Sequence, residues 1–491
     1  MLLKIDRGAK TPVHRQIETE TRRLIDQGAL RPGEALPPSR ELARRLGVNR
    51  STVYQAYADL QAQGYLLSRP GSYNIVQARR KEAAYDPGRR GLFNWARRTT
   101  PGARAAHEAN LVLAAGAASR RLHEGKFVDF ASLEVDPRLY PLAEFRSVVR
   151  RVLADSGPDA LRYGELKGYL PLRAGIARRL RLHGISASED EILMTSGSQE
   201  GLDLVIRLLC PPGSRVAVEV PTYARFLPLL ALNGVEPVPV PMTPAGMDLD
   251  ALERVLAGSP IRFVYSIPNF HNPTGITTPH AHRERLLSIC QATEIPLLED
   301  GFEEDMKYFG KVPLPLKSID ERGVVIYLGT FSKALFSGLR IGWITADRDC
   351  IDRLAAVKRF SDLGLSPLVQ MAVERFCRLG FYDLHLKRIH RVYRRRLVLT
   401  LEEMDRRMPK GITWTRPVGG YTLWVKLPRK MGAAALREHL FDHGVAATPG
   451  AEFFPGGRPS EYLRLCIARP NEDEIRTGIR RLGQALASLP A

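Results

Sequence analysis

The segment VVIYLGTFSKALFSGLRIGW, residues 324–343, holds the richest chemistry in the chain. An apolar run that reads as a buried strand delivers Thr330, Ser332 and Lys333 into a loop, and Arg340 follows seven residues after the lysine. A lysine at the end of a buried strand loses hydration, which disfavours its ammonium form unless a partner compensates. The neutral amine that results is a Schiff-base nucleophile. Arg340 supplies a permanent cation suited to a phosphate.

Other polar residues stand at or just after predicted strands, where ligands of open α/β sheets bind. EILMTSGSQEGLDLVIRLL runs strand, Ser-Gly-Ser-Gln, helix. Ser198 and Gln199 are therefore phosphate ligands at a helix N-terminus, or members of an ordinary turn in which serine caps the helix. Tyr223, in VEVPTYARF, stacks on a flat ring or packs in the core. Asn272, in IPNFHNPTGITT, offers a neutral donor or shapes a turn. Asp300, in PLLEDGF, holds a ring nitrogen protonated or caps the next segment. There is no GxxxxGK[ST] phosphate loop. The five cysteines stand singly without CxxC spacing, so neither a zinc site nor a disulfide framework is expected and no metal is assigned.

These residues need elements to carry them. From Phe127 onward, short apolar runs (EILMTS, RVAVEV, RFVYSI, PLLED, VVIYLG) alternate with helical segments. Such runs are expected as buried parallel strands, and their alternation with helices predicts a doubly wound α/β sheet. Residues 127–491 are read as this large domain.

The first 78 residues follow a different pattern. Helical periodicity runs from Val13 to Gln27, and Gly28 is a natural C-cap. Ser39 is expected to cap a helix over Arg40–Leu46, which Gly47 ends with a left-handed residue. Asn49 should cap the next helix, roughly Arg50 to Gln63. Its core face is Val53, Ala56 or Tyr57, and Leu60; the other side presents Arg50, Ser51, Thr52, Tyr54 and Gln55. Two short helices joined at a glycine turn form a helix-turn-helix, whose second helix enters the major groove N-terminus first. YLLSRPGSYNIV reads as a two-stranded wing with Arg69 near its tip. Residues 79–126, rich in Arg pairs and Pro-Gly breaks, read as a basic linker without a sustained helical period.

Composition narrows the class. With 44% hydrophobic and 25% charged residues, the 491-residue chain is globular rather than dominantly disordered. Net charge is +19, of which +5 falls in residues 1–78 and +6 in residues 79–107. Positive charge gathered at one end fits an anionic partner such as nucleic acid. The start MLLKIDRGAK lacks an apolar leader, and no apolar run approaches membrane-spanning length. The chain reads as soluble and cytoplasmic.

LRPGEALPPSRELARRLGVNRSTVYQAYADLQAQGYLLSRPGS resembles the winged helix-turn-helix of GntR-type bacterial regulators, along nearly all of residues 11–77. The resemblance implies that Ser39 and Arg40 meet the DNA backbone or a base, and that Arg50, Ser51 and Thr52 read or clamp the groove. Over residues 127–491 the constellation resembles fold-type I pyridoxal-phosphate aminotransferases, which have a smaller C-terminal α/β subdomain. That resemblance implies an internal aldimine between Lys333 and pyridoxal 5′-phosphate, with Asp300 on the pyridinium nitrogen, Asn272 on the ring hydroxyl and Tyr223 stacked on the ring. It implies Ser198, Gln199, Ser332 and Arg340 on the phosphate, and Arg464, in YLRLCIARP, on an amino acid's carboxylate. It carries Tyr163, in RYGELKGYLPLR, to the phosphate of a neighbouring subunit in a homodimer. One departure stands out: relatives often carry tyrosine two or three residues after the aspartate, where its hydroxyl bonds the ring oxygen. Here Gly301 and Phe302 follow Asp300, which puts full transaminase turnover in doubt.

The order of head, linker and large domain resembles the MocR subfamily of GntR-type regulators across essentially the whole chain. It implies a transcription regulator on promoter DNA that senses an amino acid or amine, or pyridoxal phosphate itself, through an aldimine on Lys333. The alternative is a working aminotransferase with an accessory DNA-binding head.

Overall fold

The helix starts and apolar spacing of the first 77 residues build three helices, Val13–Asp26, Ser39–Leu46 and Arg50–Ala62, followed by the antiparallel strands Leu66–Ser68 and Asn74–Val76. The computed structural model describes residues 3, 5–9, 11–68, 73–77, 95–122 and 127–489, and the chain divides into two units, Met1–Arg97 and Arg98–Ala491. Ile17, Leu36, Leu42, Val53, Ala56, Tyr57 and Leu60 form the buried core of the first unit, so both Ala56 and Tyr57 face inward. Gly47 takes the left-handed backbone, φ 61°, that the tight turn demands. Ser39 is not a cap. Pro38 holds the cap position and Ser39 is the first helical residue, because proline's fixed φ already sets the chain's entry into the helix. The expected wing tip, Arg69, and residues 79–94 and 123–126 of the expected linker lie outside the described residues.

In the second unit an eight-stranded sheet runs, in spatial order, Ile192–Thr195, Gly342–Thr345, Val325–Thr330, Leu297–Asp300, Ile261–Ser266, Arg215–Val220, Glu236–Thr243 and Gly246–Met247. The sheet is mixed rather than all parallel. Gly342–Thr345 runs antiparallel to both its neighbours, and Gly246–Met247 antiparallel to Glu236–Thr243. A fully buried run such as GWIT is apolar in either direction, so composition could not reveal the reversal. The reversal has a consequence for the site. An antiparallel strand begins at the edge where its neighbours end, so Gly342 pairs with both Thr330 and Thr195 and brings Arg340 to that edge. The backbones there approach so closely that a Cβ on Gly342 would stand 2.8 Å from the Gly197 carbonyl carbon.

A smaller antiparallel sheet (Thr413–Trp414, Thr422–Met431, Ser460–Cys466, Thr448–Pro449) packs with the helices Phe381–Arg407, Ala433–Asp442 and Glu472–Ala487 in the same apolar core. Part of the expected linker is helical, over Pro101–Leu122. Its sequence, PGARAAHEANLVLAAGAASRRL, gains helicity from alanine's intrinsic propensity rather than from an apolar stripe. Near its start the helix lies against the helix Phe226–Leu232, where a Cβ on Gly102 would meet the Leu232 carbonyl oxygen at 2.3 Å.

Candidate functional site

Strand ends converge on one pocket. Asp300 closes the strand Leu297–Asp300 and is buried. Tyr265, from the neighbouring strand, donates its hydroxyl to Asp300 Oδ2 at 2.8 Å, while Oδ1 is buried with no hydrogen-bond partner among the described residues. Burial raises the Asp300 carboxyl to about 6, against the lowering pull of the Tyr265 hydroxyl, the Phe302 amide and the Lys333 charge. An acceptor oxygen left open in a dry pocket is suited to a charged N–H donor.

Lys333 follows the strand Val325–Thr330, and its Nζ donates to the Leu133 carbonyl at 2.9 Å. Burial lowers the lysine's proton affinity, and the Glu303 charge opposes that fall. Ser332 is buried beside it and accepts the Thr330 hydroxyl at 3.0 Å. Arg340 holds a left-handed backbone, φ 52°, and donates to the Ser196 carbonyl at 2.8 Å. Such a backbone is uncommon for arginine and marks a position fixed by its surroundings. Its guanidinium lies over Gly197, where a Cβ would stand 2.5 Å from Nη2. Ser198 and Gln199 open the helix Ser198–Leu209, whose first amides lack intrahelical acceptors. Gln199 also accepts the Tyr223 hydroxyl at 3.3 Å. Burial raises the Tyr223 phenol, and the charges of Arg225, Asp300, Arg464 and Arg340 all act on it.

Arg464 comes from the smaller sheet and is buried. It donates to Asn272 Oδ1 at 3.1 Å, to the Ala131 carbonyl at 2.6 Å and to the Thr448 hydroxyl at 3.0 Å, and its Nε has no partner among the described residues. Burial lowers its proton affinity. The structure therefore brings Asp300, Lys333, Tyr223, Asn272, Arg464, Arg340, Ser332, Ser198 and Gln199 together. Tyr163 is 85% exposed, on the segment before the helix Leu170–Leu180. The fit to pyridoxal phosphate rests on the open Asp300 oxygen, the desolvated lysine, and a helix N-terminus flanked by Arg340. Among the described residues no cluster of His, Cys, Asp and Glu could hold a metal ion.

Four participants escaped the sequence reading. The carbonyls of Ala131 and Leu133 hold Arg464 and Lys333, yet nothing in ASLEVD marks them. Arg225, two residues after Tyr223, adds a further cation. Glu303 is buried, with Oε1 unpartnered and Oε2 accepting the Tyr421 amide at 3.1 Å. Its spacing of three from Asp300 was the available signal, but EED reads as a solvated acidic run.

In the first unit, Arg40, Arg50 and Ser51 are exposed, and Ser39 and Thr52 are half-buried. Among the described residues Arg40 and Arg50 have neither an ion pair nor a hydrogen-bond partner. Arg7 binds the Leu46 and Gly47 carbonyls at 3.0 Å and fastens the preceding segment to the turn.

Comparison with known proteins separates the two units. The model of the aminotransferase class I and II family matches residues 136–482, and that of the bacterial regulatory proteins, gntR family, matches residues 14–73. The chain is 38% identical to 2-aminoadipate transaminase of Thermus thermophilus, over 72% of this chain and 89% of that one. It is 32% identical to the HTH-type transcriptional regulator TauR of Rhodobacter capsulatus, over 96% of this chain and 95% of that one. The crystal structure of the alpha-aminoadipate aminotransferase LysN from Thermus thermophilus, complexed with N-(5′-phosphopyridoxyl)-L-leucine, superposes with a TM-score of 0.74 at 34% identity, covering 81% of this chain and 99% of that one. No helix among the described residues is long and apolar enough to cross a membrane.

Proposed function

The chain belongs to the aminotransferase class I and II family and carries a gntR-family head in the MocR-like arrangement, and from that premise we propose that it is a DNA-binding transcription regulator that senses an amino acid or amine at Lys333. The observation that carries the regulator reading is one of extent. The likeness to the regulator TauR spans 96% of this chain, whereas the likeness to 2-aminoadipate transaminase spans 72%. The cofactor is pyridoxal 5′-phosphate. When bound, it supplies an aldehyde that condenses reversibly with primary amines, and an electron-withdrawing ring.

In this proposal Lys333 carries the cofactor and Asp300 Oδ1 accepts the ring N–H, since Tyr265 already occupies Oδ2. Tyr223 covers a ring face. Asn272 spends its carbonyl oxygen on Arg464, which leaves its amide N–H groups for the ring hydroxyl. Ser198, Gln199, Ser332 and Arg340 hold the phosphate through hydroxyl, amide and guanidinium donors. Arg464 grips the carboxylate of an amino acid in a bidentate pair.

That grip has a structural effect. A carboxylate on Arg464 takes over N–H groups now directed to the Ala131 carbonyl and the Thr448 hydroxyl, and so loosens residues 131–133, the same segment to which Lys333 is tied. This segment follows the helix Pro101–Leu122 closely in the chain, and in sequence that helix lies between it and the head. A ligand with different contacts in the two arrangements shifts their populations, and the head responds by altered promoter occupancy, through Ser39, Arg40, Arg50, Ser51 and Thr52. The regulator acts as a cytoplasmic homodimer in which Tyr163 serves the neighbouring subunit's phosphate.

The test is to titrate the purified protein with amino acids and amines while following visible absorbance and affinity for an operator selected from random duplex DNA. A single saturating absorbance change coupled to changed operator affinity supports the proposal. Continuous keto-acid formation, with operator affinity unmoved, supports the aminotransferase alternative. Operator affinity that responds to pyridoxal phosphate alone makes the cofactor itself the signal.

A further inference from the structure

We infer that His271 is a positioning residue for Asn272, its ring clamped between Glu219 and Thr274 so that the Asn272 side chain is presented to Arg464 and to the cofactor ring. The inference rests on the reading of Asn272 as the donor to the ring hydroxyl, and it adds the buried groups behind that donor which the reading leaves out.

Asn272 sits on a turn that needs holding. The turn follows the strand Ile261–Ser266, and within it Phe270 has φ 53°, a left-handed backbone that a bulky side chain rarely adopts. Such a conformation persists only where its surroundings fix it. Two backbone bonds set the path of the chain: the His271 amide donates to the Ile276 carbonyl at 2.9 Å, and the Gly275 amide donates to the His271 carbonyl at 2.6 Å. The buried ring of His271 adds a third attachment, through its side chain.

The polarity of that attachment follows from its partners. The Thr274 amide donates to His271 Nδ1 at 3.4 Å, so Nδ1 is an acceptor. The Thr274 hydroxyl accepts the Ile276 amide at 3.3 Å and stands 2.8 Å from the same Nδ1, to which it donates. A neutral imidazole with an accepting Nδ1 carries its proton on Nε2. Nε2 has no aligned hydrogen-bond partner among the described residues, but Glu219 Oε2 stands 3.3 Å from it, and both side chains are 1% exposed. The pairing of Val218 with Tyr265 between neighbouring strands places Glu219 beside Ser266. Glu219 Oε1 accepts the Ser266 hydroxyl at 2.6 Å, and Oε2 accepts the Ile267 amide at 2.9 Å. Ser266, Ile267 and His271 thus bring donors to a group that, ionised, only accepts. In so dry a place these contacts are strong.

The clamp ends at the site. Asn272, next in the chain, is buried and receives Arg464 Nη1 on Oδ1 at 3.1 Å. With Oδ1 spent, the direction of its amide N–H groups is set by the orientation of the turn. Releasing the His271 ring frees the turn to rotate and carries those N–H groups off the ring hydroxyl.

The experiment uses the full-length chain in two arms. Without cofactor, the ring signals of isotopically labelled histidine nitrogens are recorded by nitrogen–proton correlation, and the spectrum of His271→Gln identifies those of His271. A proton on Nε2 and a bare Nδ1 are expected; a proton on Nδ1 would overturn the proposal. With pyridoxal phosphate added, the visible band is titrated with pH. An N–H on the ring oxygen favours that oxygen's charged form, so Asn272→Ala should move the midpoint up by about one pH unit. His271→Leu should reproduce most of that shift. Glu219→Gln, which keeps the shape and loses the charge, should give a smaller part of it. His271→Gln, whose side-chain N–H replaces the Nε2–H, should stay near the wild type. Near-UV circular dichroism checks that each variant is folded; were His271→Leu unfolded, Glu219→Gln decides in its place. A wild-type midpoint in the deciding variant, beside a shifted Asn272→Ala, would overturn the clamp and leave the Asn272 reading standing. An unmoved Asn272→Ala would overturn both. A colourless wild type would remove the cofactor reading alone, and the ring signals then decide the clamp.

Discussion

The two units handle charge in opposite ways. In the head, Arg40 and Arg50 stand in solvent with no partner among the described residues, over a small apolar core of Ile17, Leu42, Val53 and Leu60. In the large unit, Asp300, Glu303 and Arg464 are buried, each with one polar atom unpartnered among the described residues. The difference teaches what each surface is for. A partner as large as a DNA duplex is met by exposed cations whose Coulomb energy is weak and salt-screened until phosphates surround them. A small ligand is met by groups already dehydrated, so that its own atoms complete the hydrogen bonding and each contact is strong.

The largest expected effect lies in the buried unit. Lys333→Ala should abolish the visible absorbance of bound cofactor altogether, read on the purified protein, while the head's DNA affinity persists; a retained band breaks the assignment. Next is a buried ion cluster beside the lysine loop. His183 stands 3.5 Å from Glu304 and 3.4 Å from Asp305. Burial works against its charge, but hydrogen bonds to Asp305 and Glu304 outweigh it and raise the imidazole to about 9. That value exceeds the unfolded value of about 6.5, so the stabilisation is complete below about pH 6.5 and fades as pH rises through about 9. His183→Gln should therefore cost about 2–3 kcal/mol in urea unfolding at pH 6 and much less at pH 10. An equal cost at both would mean that the cluster is held by packing.

Arg464→Ala should weaken the response to amino acids by about 1.5–3 kcal/mol, roughly ten- to a hundredfold, and leave the response to amines without a carboxylate nearly unchanged. Equal losses for both ligand classes would detach Arg464 from carboxylate recognition. In the head, Arg50→Ala should weaken operator binding by about 1–3 kcal/mol and relax specificity. The smallest effect is structural: Gly47→Ala, at φ 61°, should lower the head's stability by about 1 kcal/mol.

Legibility followed the same divide. The head's helices were readable because Gly28 and Gly47 mark helix ends and because Val53, Ala56, Tyr57 and Leu60 repeat at helical spacing. The strand-end residues of the large unit were readable as well, since polar residues after apolar runs are few. Direction and depth were not. The run that became Gly342–Thr345 carries no mark of its antiparallel course, and only that course explains why Arg340 reaches Ser196. Helix Pro101–Leu122 rests on alanine propensity, which has no period to detect. Glu303 looked solvated because burial depends on Gly420 and Tyr421, more than a hundred residues away in the chain.

The measurement closest to the central claim is borohydride reduction of the purified full-length protein with added pyridoxal phosphate, followed by peptide mapping. The account predicts a phosphopyridoxyl label on Lys333 of the peptide containing TFSK, with loss of the visible band. An unlabelled Lys333, or a label spread over surface lysines, would contradict it.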